Sequence, residues 1–171
     1  MSSKDKNLSE VELPSLNQPD QLHIGIVVSE WNDDITLPLK DGCYATLLKA
    51  GILEDNIHVV TVPGAYELPL GARLLAGKEK LDAVVCIGCV IKGETKHDEY
   101  INNAVAQGIM NLGLSSGKPV IYGVLTPNSK EQAIARAGGK HGNKGVEAAA
   151  TALRMIGLSQ ELSQQKQSIG Y

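Results

Sequence analysis

A chain of 171 residues has the length of one domain and can bury roughly two thirds of its unfolded surface. With 43% hydrophobic residues, 20% charged residues and a net charge of −3, it has neither the composition of a disordered chain nor the basic footprint of a nucleic-acid binder. Its longest apolar run, Ala83 to Ile91, is about half the roughly 18 residues that a bilayer-spanning helix needs. The polar first twenty residues carry no signal-like apolar segment, so a cytoplasmic protein without membrane contacts is expected.

Only six aromatic residues (five Tyr, one Trp, no Phe) stand beside 18 glycines, so small residues must fill much of the core. Cys43, Cys86 and Cys89 make an odd count, which suits free thiols in a reducing compartment. Cys86-Ile-Gly-Cys89 fits a C-x-x-C string, but it lies in a strand-like run, where that spacing sends the two thiols to opposite faces. His23 and His58 have no partners at ligand spacing, and no metal site is expected.

In chain order, Leu22 to Val28 is a β-branched strand, and turn residues Ser29 to Asp34 lead into an amphipathic helix. Pro38 places the start of that helix near Thr36, and Gly51 caps its end. Ile57 to Val62 is a second strand, broken by Pro63-Gly64 before a helix from Tyr66 to Ala76. Asp82 to Ile91 is apolar throughout, as a strand covered on both faces should be, and a helix follows from His97 to Leu114. Val120 to Leu125 is a fourth strand, Ser129 to Ala137 a helix, Gly138 to Asn143 a loop, and Gly145 to Ile156 a last helix.

This alternation predicts an α/β fold, a three-layer αβα sandwich around a four-stranded parallel sheet. Residues 1–20 read as a polar arm, 21–157 as a single α/β domain and 158–171 as a polar, extended tail. Ligands of such sheets sit beyond the carboxyl ends of the strands, so chemistry is sought in residues 29–34, 63–67, 92–97 and 126–129.

The first loop offers Trp31 beside Asn32, and the second Tyr66 and Glu67. Rings and amides could grip a polar heterocycle; a hydrophobic staple and a first-turn acid explain the same residues. In Lys92-Gly-Glu-Thr-Lys-His97, Gly93 permits close backbone approach, Thr95 offers a hydroxyl and the following helix presents its amides, which together describe an anion site. Glu94 stands where a nucleotide-binding P-loop needs Lys. His97 is either a proton-transfer group or an exposed capping residue. Lys130, Arg136, Lys140 and Lys144 form a basic cluster in an acidic chain, ordinarily a solvated face.

Four ordered segments carry a resemblance: Gly64-Ala-Tyr-Glu-Leu-Pro69, Gly88-Cys-Val-Ile-Lys-Gly-Glu-Thr-Lys-His97, Pro119-Val-Ile-Tyr-Gly-Val-Leu-Thr126 and Glu131-Gln-Ala-Ile-Ala-Arg-Ala-Gly138. Over residues 22–157 the chain resembles the 6,7-dimethyl-8-ribityllumazine synthases. The resemblance implies a flavodoxin-like fold and a transferase reaction, the condensation of 5-amino-6-(ribitylamino)uracil with 3,4-dihydroxy-2-butanone 4-phosphate on the way to riboflavin. It implies no cofactor and no metal. By position it implies that Trp31, Asn32, Ala65, Tyr66, Glu67, Cys89, Val90, Ile91 and Tyr122 bind the pyrimidine. Glu94, Thr95 and Arg136 match the phosphate contacts, with Lys144 in support, and His97 matches the proton-transfer residue.

The family assembles as pentamers or as shells of sixty subunits, some with a neighbour's N-terminal strand added to the sheet, and riboflavin synthase is a partner the family suggests. Tyr122 and Arg136 match positions contributed by an adjacent subunit. The short Gly138 to Gly145 connection resembles the shell-forming type, whereas Pro14 and Pro19 disfavour strand addition. Asp98, Glu94 and Tyr122 depart from the family pattern, Glu94 by setting a negative side chain beside the expected phosphate. The same fold also carries flavin mononucleotide in binding proteins, but those need a Ser/Thr-rich loop where Ser29 to Asp34 is acidic. A shell-forming protein without activity is a third reading.

Overall fold

The computed structural model describes residues 7–169, with side chains as far as 164. Four parallel strands, β1 (Ile24–Ser29), β2 (Ile57–Val62), β3 (Ala83–Cys89) and β4 (Val120–Leu125), form one sheet in the order β2-β1-β3-β4. Strand alternation sorts their side chains between two cores. Ile24, Ile26 and Val28 of β1 and Ala83, Val85, Ile87 and Cys89 of β3 face α1 (Asp33–Lys49) and α5 (Lys144–Ile169). Val27, Val84, Cys86 and Val124 face α2 (Leu68–Lys78) and α3 (His97–Ser116). The sandwich is therefore the three-layer one expected, and Cys86 and Cys89 lie on opposite faces of β3 as their spacing requires.

Small residues carry the α1/α5 side. Ala148, Ala149 and Ala152 are at most 2% exposed, which lets α5 approach the sheet and α1 closely. A Cβ on Gly145 would run into the Leu39 carbonyl oxygen, so no larger residue fits that crossing. Asn143 locks the same corner: its Nδ2 donates to Pro38 O (2.8 Å) and its Oδ1 accepts from the Gly145 amide (2.8 Å).

Several boundaries differ from the sequence reading. α1 starts at Asp33 rather than Thr36, with Pro38 inside it. Pro38 lacks only the donor that would reach the Asp34 carbonyl, a first-turn group at an exposed position, so the helix tolerates it. Gly51, at φ +91°, caps the end as expected. α2 is preceded by a 3₁₀ turn at Ala65–Glu67. The helix expected over Ser129 to Ala137 shortens to α4 (Lys130–Ile134), capped by Ser129 Oγ. The expected loop at 138–143 holds a small antiparallel ladder, β5 (Ala137–Gly139) with β6 (Gly142–Asn143).

The largest difference is α5, which continues to Ile169 instead of ending at Ile156. Residues 158–169 are thus helical, not an extended tail, and positions 170–171 lie outside the described residues. The polar arm has partners that sequence alone could not supply. Leu8 N–H donates to His141 O (2.8 Å), Arg154 donates to Glu12 O (2.9 Å), and Asn17 and Gln160 exchange two bonds of 3.1 and 3.0 Å. Leu13 and Leu16 pack on the α1/α5 core. Among the described residues no helix is long and apolar enough to cross a membrane.

Candidate active site

At the carboxyl ends of β1, β2 and β3 lies a cleft of about 980 Å³. Three of the four predicted loops line it, the fourth does not. Lys92 N–H donates to Pro127 O (2.9 Å), so the segment leaving β3 runs between residues 126–129 and the cleft. Ten predicted residues meet there: Trp31, Asn32, Ala65, Tyr66, Glu67, Cys89, Val90, Ile91, Thr95 and His97.

Trp31 is 75% exposed and Tyr66 61% exposed, so two ring faces stand open at the cleft. Asn32 is half-buried and its Nδ2 donates to Cys89 O (2.9 Å). Glu67 is committed to its own turn. Its Oε2 accepts from Gly64 N–H (3.1 Å), and its amide donates to Gly64 O (3.2 Å), half of a capping box. The carboxylate therefore shapes the second loop and leaves one oxygen for a ligand.

Beyond β3 the backbone is divided in its loyalties. Val90 and Lys92 donate to Leu125 O (2.8 Å) and Pro127 O (2.9 Å) on the β4 side. Ile91, between them, has no hydrogen-bonded partner among the described residues and lines the cleft, so its peptide groups are available to a heterocycle edge. Gly93 has open space about its Cα, and the His97 and Asp98 amides precede any helical acceptor, whereas Glu99 and Tyr100 already donate to Lys96 O. Thr95 and His97 are both exposed at this end of the cleft. The anion site read from the sequence thus has its parts in one place.

Burial pushes the Cys89 thiol up to about 12, with a smaller push from the Asp34 carboxylate. That keeps it a neutral floor atom rather than a nucleophile. Glu94 is exposed and does not line the cleft.

Tyr122, Arg136 and Lys144 lie elsewhere on the chain. Tyr122 and Lys144 line a second cleft of about 400 Å³, with Met110 and Thr151. Burial raises the Tyr122 hydroxyl, and Lys144 Nζ pairs with Glu147 Oε1 at 2.6 Å. Arg136 donates through Nη1 to Gln132 O (3.1 Å), and its carbonyl accepts from Lys144 N–H (2.8 Å). No Lys or Arg lines the large cleft among the described residues, whereas Glu67 and Asp98 do. Sequence reading missed Tyr100, Ile101 and Ala104 as lining residues. Their signal was present: counted from His97 they fall at helical offsets of three, four and seven, one face of α3.

The family model for 6,7-dimethyl-8-ribityllumazine synthase matches residues 21–160. The chain belongs to the 6,7-dimethyl-8-ribityllumazine synthase family. A lumazine synthase of Cytophaga hutchinsonii is 56% identical over 158 residues, covering 91% of this chain and 98% of that relative. The lumazine synthases of Porphyromonas gingivalis and Bacteroides fragilis are 49% and 52% identical, covering 92% and 79% of this chain and 98% and 94% of those relatives. The lumazine synthase family is a transferase family of riboflavin biosynthesis, and membership sets aside the flavin-carrier reading. The match begins within one residue of the segment that carried the resemblance and ends three residues beyond it.

Proposed function

We propose that the large cleft binds 5-amino-6-(ribitylamino)uracil and 3,4-dihydroxy-2-butanone 4-phosphate together and condenses them to 6,7-dimethyl-8-ribityllumazine, with a second copy of the chain completing the site. The observation that carries this reading is a division within one chain. Ring faces, free backbone groups, helix amides and His97 gather in one cleft that no Lys or Arg lines among the described residues, while Tyr122 and Lys144 line a different cleft and Arg136 lines neither. A dianionic phosphate beside Asp98 needs a positive partner, and a guanidinium suits its geometry.

In this reading Trp31 stacks on the pyrimidine, the peptide groups of Ile91 meet its edge, and residues 65–67 lie along the ribityl chain. Thr95 and the first amides of α3 hold the phosphate, joined by the neighbour's Arg136, with Lys144 in support. The 5-amino group attacks the ketone carbonyl and water leaves as the imine forms. Loss of a proton from the carbon bearing the 3-hydroxyl and departure of phosphate then leave an enol, which tautomerises to a new ketone at that carbon. Attack by the ribitylamino nitrogen on this new carbonyl closes the ring with loss of a second water. His97 moves protons in these steps, and holding two substrates in register supplies much of the rate.

Leu70, Leu74, Met110 and Leu114, each at least 61% exposed, give the chain apolar surface suited to a ring of copies, and the family's pentamer, alone or in a sixty-subunit shell, is the assembly we favour. Hybrid rings test the shared site. A His97→Ala variant and an Arg136→Ala variant are mixed, unfolded and refolded together. About one interface in four then joins an intact His97 face to an intact Arg136 face, if both variants assemble equally. Activity well above either parent is expected. Mixed rings with no recovery would place both residues in one subunit's site and overturn the reading.

A further inference from the structure

We infer that Asn32 is a positioning residue whose side-chain amide ties the β1–α1 loop to the end of β3 and so holds the Trp31 ring over the cleft. The inference rests on the reading above that this cleft takes the pyrimidine. Where the chain leaves β1, Glu30 N–H donates to Val62 O (2.8 Å) and Trp31 N–H to Pro63 O (3.2 Å). These bonds tie one side of the loop to the end of β2.

Asn32 then turns the chain with φ 62° and ψ 48°, a left-handed conformation that non-glycine residues other than Asn and Asp seldom adopt. Its carbonyl accepts from the Ile35 and Thr36 amides, both at 2.9 Å, and starts α1. An Asn in this capping position ordinarily uses its side-chain oxygen on the helix's own first-turn amides. Here the side chain makes no capping bond, and Asp33 Oδ1 takes the Asp34 amide instead (2.8 Å). The Asn32 amide reaches across the sheet to Cys89 O (2.9 Å). The other end of that peptide is held as well, since Val90 N–H donates to Leu125 O (2.8 Å).

Trp31 thus sits between a backbone tie to β2 and a side-chain tie to β3. At 75% exposure it has little packing of its own, and it makes no ring contact with another aromatic among the described residues. What orients the indole is the loop that carries it, and Asn32 closes that loop.

Trp31 is the only tryptophan, so fluorescence anisotropy of the substrate-free protein reads its mobility alone. Asn32→Asp keeps the shape and the left-handed turn but faces a carboxylate to the Cys89 carbonyl. Asn32→Gly keeps the turn and removes the group, and it carries the test if the charged variant fails to fold. In either variant that melts cooperatively, Trp31 anisotropy should fall and KM for the pyrimidine should rise about five- to tenfold, the worth of one hydrogen bond. KM for the butanone phosphate should stay within about twofold of the parent, because none of these bonds reaches Thr95 or His97. In a Trp31→Ala background, Asn32→Gly should change the pyrimidine KM by less than about twofold.

Unchanged anisotropy would overturn the inference, whatever KM does. An undiminished KM effect without Trp31 would also overturn it, since Asn32 would then touch the substrate itself. The anisotropy arm uses no substrate, so a parent chain inactive in the condensation would count against the proposed reaction and leave the tie to be judged separately.

Discussion

Under α1 and α5 the sheet meets Ala148, Ala149, Ala152 and Leu153, none more than 2% exposed, whereas on its other side Leu70 and Leu74 of α2 and Met110 and Leu114 of α3 are between 61% and 75% exposed. The first face is closed more tightly, although Leu37 and Leu48 of α1 and Met155, Leu158 and Leu162 of α5 are still 41–52% exposed. Alanines and Gly145 let two helices close on the strands, and Leu13 and Leu16 of the arm pack onto the same core. The second face buries its strand side chains but leaves the outer flanks of its helices in water. A chain of this size gains from covering such surface, and the assembly proposed above would do so. The two helix layers thus differ in how much apolar surface they leave in water, and the candidate site opens beside the more exposed one.

The sharpest way to break this contrast is Gly145→Ala. Its methyl would meet the Leu39 carbonyl, a backbone atom with no freedom to swing aside, and we expect a loss of more than about 3 kcal/mol or failure to fold. Denaturant titration measures it, and a normal midpoint would refute the tight crossing. Next comes a matched pair of leucines. Leu153→Ala, fully buried, should cost about 2–5 kcal/mol. Leu74→Glu, 65% exposed, should change subunit stability by about 0.5 kcal/mol or less while shifting sedimentation toward smaller species. Equal losses at both positions would erase the distinction between the faces.

Arg136→Ala tests what the proposed neighbouring copy delivers. It should weaken butanone phosphate binding about ten- to a hundredfold, the worth of a charge-assisted contact, and leave pyrimidine binding nearly unchanged. Parallel losses in titrations with each substrate would contradict the assigned role.

The smallest effect concerns the thiols. Burial pushes Cys43, Cys86 and Cys89 each to about 12, so maleimide at pH 8 should label none until the chain unfolds. Because these pKa values are raised in the folded state, their stabilisation is present below the unfolded thiol value, about 8.5, and is lost as pH rises toward 12. Rapid labelling of native protein would show that one face opens.

Strand positions were legible because β-branched runs between turn residues have few alternatives, and β2 and β4 lie where the sequence put them. Three site loops were legible because parallel sheets present ligands at one end. Tyr122, Arg136 and Lys144 were grouped with the cleft by resemblance alone; one copy of the chain separates them from it. The extent of α5 was hidden because its Gln/Ser-rich end has weak apolar periodicity. Its hold comes partly from distant residues such as Asn17 and Glu12, contacts no local pattern reports. The start of α1 was misplaced for a different reason. Pro38 was read as excluding a longer first turn, but the missing bond falls on a carbonyl at an exposed position.

The unbroken run of α5 to Ile169 has a practical meaning for engineering. From Leu158 onward it is a rod roughly 16 Å long, at 1.5 Å of rise per residue. A helical cargo spliced onto that rod in register would be displayed at a set distance and azimuth, and each inserted residue would turn it by about 100° around the axis. In a ring of copies the same splice would array the cargo with the ring's own symmetry.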